Sequence, residues 1–416
     1  MASVRNKYII IIGTLDTKGT EVTFLSSQIQ QLGFATRIMD VGFDMSPSCQ
    51  ADIEREEVAS RAGSDIGSIL VQDGGKIRAM AAMAQGALSL VEEKINSGDA
   101  AGVMALGGGV GTWIGMKVMR DLIFGFPKIM ISTLPFDIRT YLGSKDIVMF
   151  PSVVDILGLN PILRKILQNA AGAMIGMVGL DELPRSSKKV IGITALGVTT
   201  PLVTACKEIL EEKGFEIAAF HGVGIGGRTF EEWVDTGMFA GVLDVTPHDI
   251  NNFLFNGISK PCPDRLETAA RNNIPQVFAP GGLDFITRGP IDTLSDEDRK
   301  KLHYRHSPMF THVRVNSREM KKVAKTVADK LNRGQDFTAV AIPLQGFSFQ
   351  GHAKGRLADH EADMTFVRIL KEKLKDGIPV IEVDAHLNDK VFAQTVCSLL
   401  FQLFKKSSHR HLQQRV

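Results

Sequence analysis

"GVMALGGGVGTWIGMKVM", residues 102–119, sets an apolar run ahead of four glycines in five positions and then places apolar residues at helical spacing. A short continuous apolar run closed by glycine reads as a buried strand, and the spacing after it reads as an amphipathic helix. The stretch is therefore a strand–glycine–helix junction. Glycine loses more conformational freedom on folding than any other residue, so four together imply that something must approach the backbone closely. A junction of this kind offers free backbone N–H groups and the positive end of a helix dipole, which suits a phosphate group. Gly107, Gly108, Gly109, Val110 and Gly111 are the candidate cradle. The glycines are expected to use unusual dihedrals, and Thr112 is expected to add a hydroxyl at the helix start.

The same unit recurs on either side. "KYIIIIG" leads into "TEVTFLSSQIQQLG", and "ATRIMDVG", "GSILVQDGG", "AGVMALGGG" and "PKIMIST" follow as further strands, each ending near glycine or threonine. Continuous apolar strands alternating with helices predict a parallel sheet covered on both faces. After a polar, proline-bearing stretch at 179–189, "GLDELPRSSKK", the pattern restarts with "KVIGITALG", a helix through "LVTACKEILEEKG", and "FEIAAFHG". Later strand candidates are "AGVLDVT", "PQVFAPGG", "THVRVN", "TAVAIPL" and "PVIEVDAH", before a closing helix through "FAQTVCSLLFQLF". The expected architecture is α/β, with two doubly wound, Rossmann-like subdomains whose sheets are mainly parallel. The first spans residues 1–180 and the second 186–416.

Composition agrees with a globular protein. The 416 residues carry 48 basic and 46 acidic side chains, 44% are hydrophobic and 23% charged. Without a basic excess, nucleic acid is not the expected partner. The apolar "AAGAMIGMVGL" is shorter than the ~20 residues of a membrane span, so no membrane association is expected. Cys49, Cys206, Cys262 and Cys397 are widely separated with no C-x-x-C pair, which points to reduced thiols in the cytoplasm.

Two further loops fall where strands of the first half end. "GTLDTKGTE" brings Gly13, Thr14, Asp16, Thr17 and Lys18 to the sheet's carboxyl edge, where open α/β folds bind ligands. Lys18 would supply a phosphate cation and Asp16 an oxygen for hydrated Mg²⁺. "VQDGGK" offers Asp73, Gly74 and Gly75, and Thr133 closes "PKIMIST". In the second half, "FHGVGIGGRTFEEW" repeats the strand–glycine–helix layout. His221 there is a candidate acid or base, and Gly226, Gly227 and Arg228 are candidates to hold an anionic substrate group. "DAHLND" adds Asp384 for substrate and His386 as a second acid or base.

Familiar signatures are missing. No Lys closes the 107–111 loop as in the P-loop, and Ile114 stands where a third glycine of the dinucleotide fingerprint would be needed. No H-E-x-x-H or G-x-S-x-G occurs, so neither a zinc site nor a serine hydrolase is expected.

"GTLDTKGTE", "LGGGVGT", "PKIMIST", "SVVDILGLN", "GITALGVTTP", "AGVLDVTPHDI", "PDRLETAA", "IPQVFAPGGLD", "ADKLN" and "DAHLND" form a collinear series along nearly the whole chain. In them the sequence resembles a family of uncharacterised proteins that share the ATP-binding inhibitory domain of the tomato mosaic virus resistance protein. The resemblance implies two α/β subdomains, ATP held at the amino-terminal one, and a homodimer. Three functions follow as expectations. The first is an ATP-binding protein of unassigned reaction. The second is a kinase-like ATP-dependent enzyme with a small-molecule substrate between the subdomains. The third is a nucleotide-gated module that binds or inhibits a protein partner.

Overall fold

The structure, a computed structural model, describes residues 7–71, 73–134, 142–180, 186–259 and 263–413. It divides into two compact units, Met1–Pro184 and Arg185–Val416.

In the first unit, β1 (Tyr8–Gly13), β2 (Ala35–Asp40), β3 (Ala100–Gly107), β4 (Lys128–Ser132) and β5 (Val148–Pro151) form a wholly parallel sheet in the order β2-β1-β3-β4-β5. Its central strands are apolar on both faces because both faces are covered. Ile9 and Ile11 share a core with α1 (Leu15–Gln31) and with the helix Pro161–Val178, whereas Ile10 and Ile12 point to the opposite layer. That layer holds α2 (Arg55–Arg61), α3 (Ile66–Leu70), α4 (Gly75–Asn96) and α5 (Gly109–Asp121). Pro161–Val178, here α6, begins under an Asn160 side-chain cap.

"GSILVQDGG" is not the strand expected from its apolar run. Ile66–Leu70 is a helical turn, and Gly74, at φ 68°, starts α4 directly after it. Ile66, Ile69 and Leu70 pack together on the core at i, i+3, i+4 spacing, and both edges of β1 are already taken by β2 and β3.

The second unit is built on β6 (Val190–Ala195), β7 (Glu216–His221), β8 (Phe239–Asp244) and β9 (Gln276–Phe278). Then come β10 (Phe285–Arg288), β11 (His303–Arg305), β12 (Thr311–Arg314), β13 (Thr338–Pro343) and β14 (Val380–Val383). Six of these form a parallel sheet in the order β14-β13-β9-β8-β6-β7, and β10-β12-β11 form a small antiparallel one. "THVRVN" is thus a strand of the antiparallel sheet and not of the α/β series. Its strand character was legible, but its pairing depends on β10 and β11, which carry no comparable apolar run.

Each unit places its first strand between its second and third. The architecture is α/β with two Rossmann-like, mainly parallel sheets. Among the described residues no helix is long and apolar enough to cross a membrane.

Candidate functional site

The order β2-β1-β3 decides where the first unit opens. From β1 the chain passes to α1 on one face of the sheet, and from β3 it passes to α5 on the other. Two connections that leave neighbouring strands in opposite directions part at the strands' carboxyl ends, and ligands of open α/β sheets bind in that crevice. A cavity of about 190 Å³ lies there. Thr14, Asp16, Thr17 and Lys18 line it after β1, Gly42, Phe43 and Asp44 after β2, and Gly108–Gly111 after β3.

The glycines of 107–111 divide into two kinds. A Cβ on Gly107 would stand 2.7 Å from the Gly111 Cα, and one on Gly111 would stand 3.0 Å from the Leu106 carbonyl, so these two let the helix begin tightly against its strand. A Cβ on Gly109 would meet nothing within 4 Å, and one on Gly108 only the Thr133 hydroxyl, at 3.6 Å. Gly108 and Gly109 therefore leave the cavity side of the loop bare. None of the four has positive φ, and the unusual dihedrals expected of the loop are found at Gly108, with φ −81° and ψ −146°. Thr112 N–H donates to the Gly108 carbonyl at 2.9 Å, which leaves the amides of Gly109, Val110 and Gly111 as first-turn donors with no side-chain cap.

Thr112 itself turns away from the cavity. Its buried hydroxyl donates to the Gly107 carbonyl at 3.0 Å and meets the Ser132 hydroxyl at 2.8 Å, because the side chain at that helix position faces β4. Thr133 lies beside the loop, its N–H donating to the Gly107 carbonyl. Gly13 ends β1, where a Cβ would stand 2.5 Å from Val22, so it serves strand–helix packing. Asp16, Thr17 and Lys18 are not a free loop, since α1 begins at Leu15 and they form its first turn. Lys18 breaks the helical dihedrals there, at φ −128° and ψ 15°. The Thr14 and Thr17 hydroxyls are 3.1 Å apart.

Sequence reading missed the third wall, Gly42–Asp44, although "DVGFD" carries the same strand–acid–glycine signal as the loops that were noticed. Asp16 fixes this wall, its Oδ2 accepting N–H bonds from Asp44 at 3.0 Å and Met45 at 3.4 Å. A Cβ on Gly42 would stand 2.8 Å from the same carboxyl group, so only glycine lets the two loops close. Asp73, Gly74 and Gly75 do not line the cavity, since their segment is a helix–helix turn. Lys76, the next residue, forms an exposed ion pair with Asp44 at 3.2 Å.

In the second unit the candidates separate. His221 ends β7 and is exposed, and desolvation lowers its pKa. Gly226 fits beneath the His221 carbonyl, where a Cβ would stand 2.3 Å from the oxygen. Gly227 fits against the Asp249 carboxylate, which pairs with the buried Arg265 at 3.3 Å. These glycines are packing positions, whereas Arg228 is exposed. Arg265 also holds Asp244 through two hydrogen bonds of 2.5 and 2.7 Å and Glu231 at 3.1 Å, a network the sequence did not announce.

His386 has both ring nitrogens bonded. Its Nε2 donates to the Ser348 carbonyl at 3.0 Å and its Nδ1 accepts the Asn388 N–H at 3.2 Å, so both ring nitrogens serve the fold. Asp384 accepts from Gln345 Nε2 at 2.6 Å. At this unit's own switch point, between β6 and β8, the Thr199 and Thr246 hydroxyls bond at 2.9 Å and Phe349 N–H reaches the Val198 carbonyl at 3.2 Å. Among the described residues no group of three or more His, Cys, Asp or Glu could hold a metal ion.

Comparison with known proteins bears on both units. The chain is 39% identical to a UPF0261 protein of Clostridium tetani (strain Massachusetts / E88), over 96% of this chain and all of that one. It is 31% identical to the ToMV resistance protein Tm-1(GCR237) of Solanum lycopersicum, over 96% of this chain and 56% of the tomato protein. Among solved structures, UDP-GlcNAc 2-epimerase of Methanocaldococcus jannaschii in complex with UDP-GlcNAc and UDP aligns at 10% identity, over 65% of this chain and 83% of that one, with a TM-score of 0.21. Residues 7–182 match the N-terminal domain, and residues 188–404 the C-terminal domain, of the uncharacterised protein family UPF0261, and the chain belongs to that family.

Proposed function

We propose that the first unit binds ATP by its phosphate tail, with the phosphates on the first-turn amides of Gly109, Val110 and Gly111 and beside Lys18. The observation that carries this reading is the bare N-terminus of α5 opening into a cavity at the switch point of a parallel sheet. The cavity's volume, about 190 Å³, falls below the ~300–1,000 Å³ of sites that enclose a whole small molecule. It suits an anionic tail, with the nucleoside lying outside.

The lining carries two carboxylates, Asp16 and Asp44, against one ammonium, Lys18. With Lys76 paired to Asp44 these side chains carry no net charge, so nothing among them offsets the charge of a polyphosphate and the ligand is better read as its Mg²⁺ complex. Carboxylate oxygens suit that hard cation, and Asp16 and Asp44 are the residues that would hold it, directly or through water. The free thiols of Cys49, Cys206 and Cys397 favour a cytoplasmic setting.

Equilibrium dialysis with ATP and Mg²⁺ tests the reading. One ATP per chain is expected for the wild type, with loss of binding in Gly109→Asp, whose carboxylate would repel the phosphates and whose Cβ would meet nothing within 4 Å. Absence of saturable binding to the wild type would end it.

A further inference from the structure

Lys18 faces two ways. It lines the cavity, and its ammonium donates to the carbonyl of Ile156 at 2.5 Å. Three residues on, Glu21 lies on the same side of α1 and is buried, and its Oε1 accepts the Gly158 N–H at 2.6 Å. Two side chains of one helix thus pin two points of the segment 152–160, which joins β5 to α6. The segment carries backbone strain: Val153, a β-branched residue, has φ 66°. It also presents Val153 and Leu157 to solvent, 72% and 77% exposed. Ile156 is fully buried and Val154 and Leu159 pack on the core, so what rests on the polar anchors is the backbone beside the exposed pair, and the low-stability parts of a fold are the ones a ligand can order.

From this geometry we propose that Lys18 couples the cavity to the segment: a phosphate group in the cavity and the Ile156 carbonyl are held by one ammonium, so occupancy orders residues 152–160 and with them the apolar pair Val153 and Leu157. The proposal rests on the nucleotide reading above. An ammonium has three donors and no acceptor, so it can bond a phosphate oxygen without giving up the carbonyl. Without an anion Lys18 is free to exchange the carbonyl for water. With one, its side chain is drawn to a single place by a charge-assisted bond, and the carbonyl bond becomes easier to keep. The anchor at Glu21 lies outside the cavity lining, so of the two anchors only Lys18 meets both the ligand and the segment. The cavity and this surface are then one device, in which the tail of a nucleotide decides whether an apolar strip is presented in a fixed shape.

Hydrogen exchange with and without ATP and Mg²⁺, read in peptides covering 107–111 and 152–160, tests it. In the wild type ATP should slow exchange in both by several-fold. In Lys18→Met without nucleotide, exchange in 152–160 should rise while the strands keep wild-type protection, and ATP should no longer alter it. Lys18→Arg, which keeps charge and donors, should restore the response. Protection at 107–111 without any at 152–160 would overturn the coupling and leave the nucleotide reading standing. No protection at either would remove the nucleotide reading. Wild-type exchange at 152–160 in Lys18→Met would overturn the anchor whether or not ATP binds.

Discussion

Arg55 Nε donates to Asp40 Oδ2 at 2.7 Å, and the other oxygen of the same carboxylate accepts the N–H groups of Leu15 at 3.0 Å and Gly42 at 2.8 Å. One fully buried carboxylate at the end of β2 thereby fixes the start of α1 and the Gly42 loop, two of the three walls of the cavity. Arg55 extends the hold with a bond from Nη1 to the Met45 carbonyl at 2.6 Å. Removing one partner of a buried pair leaves the other charge uncompensated, which costs about 3–5 kcal/mol. Asp40→Ala should lower unfolding stability by that order in urea titrations. Arg55→Met should do likewise and should weaken ATP binding as well, since the Gly42 loop loses its brace. Wild-type stability in either variant would show that the ion pair does not hold the walls.

Gly107 and Gly109 should respond in opposite ways to the same methyl group. At Gly107 the new Cβ meets backbone 2.7 Å away, which cannot yield as a side chain would. Gly107→Ala should therefore destabilise by ~1–3 kcal/mol. At Gly109 the Cβ meets nothing, and alanine is the better helix former, so Gly109→Ala should leave stability unchanged or raise it by up to about 1 kcal/mol. Its methyl group would nonetheless stand at the cavity wall, and ATP affinity should fall by roughly tenfold, about 1.4 kcal/mol. Thermal unfolding and dialysis on the two variants read the contrast. Equal losses of stability would mean that the loop packs as one rigid turn.

How much of this was legible in advance differs by scale. The alternation of buried strand and helix was plain because a strand covered on both faces must be apolar throughout, as Ile9–Ile12 are. The 107–111 junction was legible for the same reason, together with its glycines. What failed depended on partners distant in sequence. Ile66–Leu70 has the residues of a strand but packs as a helical turn against the core, and Thr112 has a hydroxyl that β4 claims. The bonds of His386 to Ser348 and Asn388 likewise join it to a residue 38 positions away as well as to a neighbour. Gly42–Asp44 carries a single glycine, and its place as a wall depends on Asp16, 28 residues before Asp44.

The buried histidines of the second unit should weaken it in acid, against Asp249 and Asp363, whose pKa values burial raises to about 7 and which act in the opposite direction. Burial lowers the pKa of His248 to about 4 and that of His312 to about 3, from 6.5. His248 is further held by Gly282 and Thr287, and His312 lies between Phe285 and His306 with Tyr304 bonded to its Nδ1 at 3.0 Å. A folded-state pKa below the unfolded value means that the unfolded chain binds protons first. The stability is fully present above pH 6.5 and is lost as pH falls from 6.5 toward 4 and 3. Each group contributes a slope of up to about 1.4 kcal/mol per pH unit. Urea unfolding followed by Trp233 fluorescence in a Trp113→Phe background reports this unit. His312→Phe should flatten the slope between pH 6 and 4 by about that amount. An unchanged slope would show that His312 does not titrate on unfolding.

If the cavity receives a tail and not a whole nucleotide, then the base should matter little. The lining is backbone amide, hydroxyl, carboxylate and ammonium, and Phe43, its one aromatic residue, is 6% exposed, which gives a purine no face to stack on. Recognition through amides and charge is recognition of phosphate oxygens, which ATP, GTP and tripolyphosphate share. In competition against labelled ATP with Mg²⁺ present, the three should displace within about tenfold of one another, a spread of ~1.4 kcal/mol, and adenosine should not displace at all. Chelation of Mg²⁺ should weaken all three together, and Asp16→Asn should reduce that dependence because one lining carboxylate is then neutral. Displacement by adenosine, or a preference for ATP over GTP of a hundredfold or more, would place the recognition on the nucleoside and move the site beyond the crevice between β1 and β3.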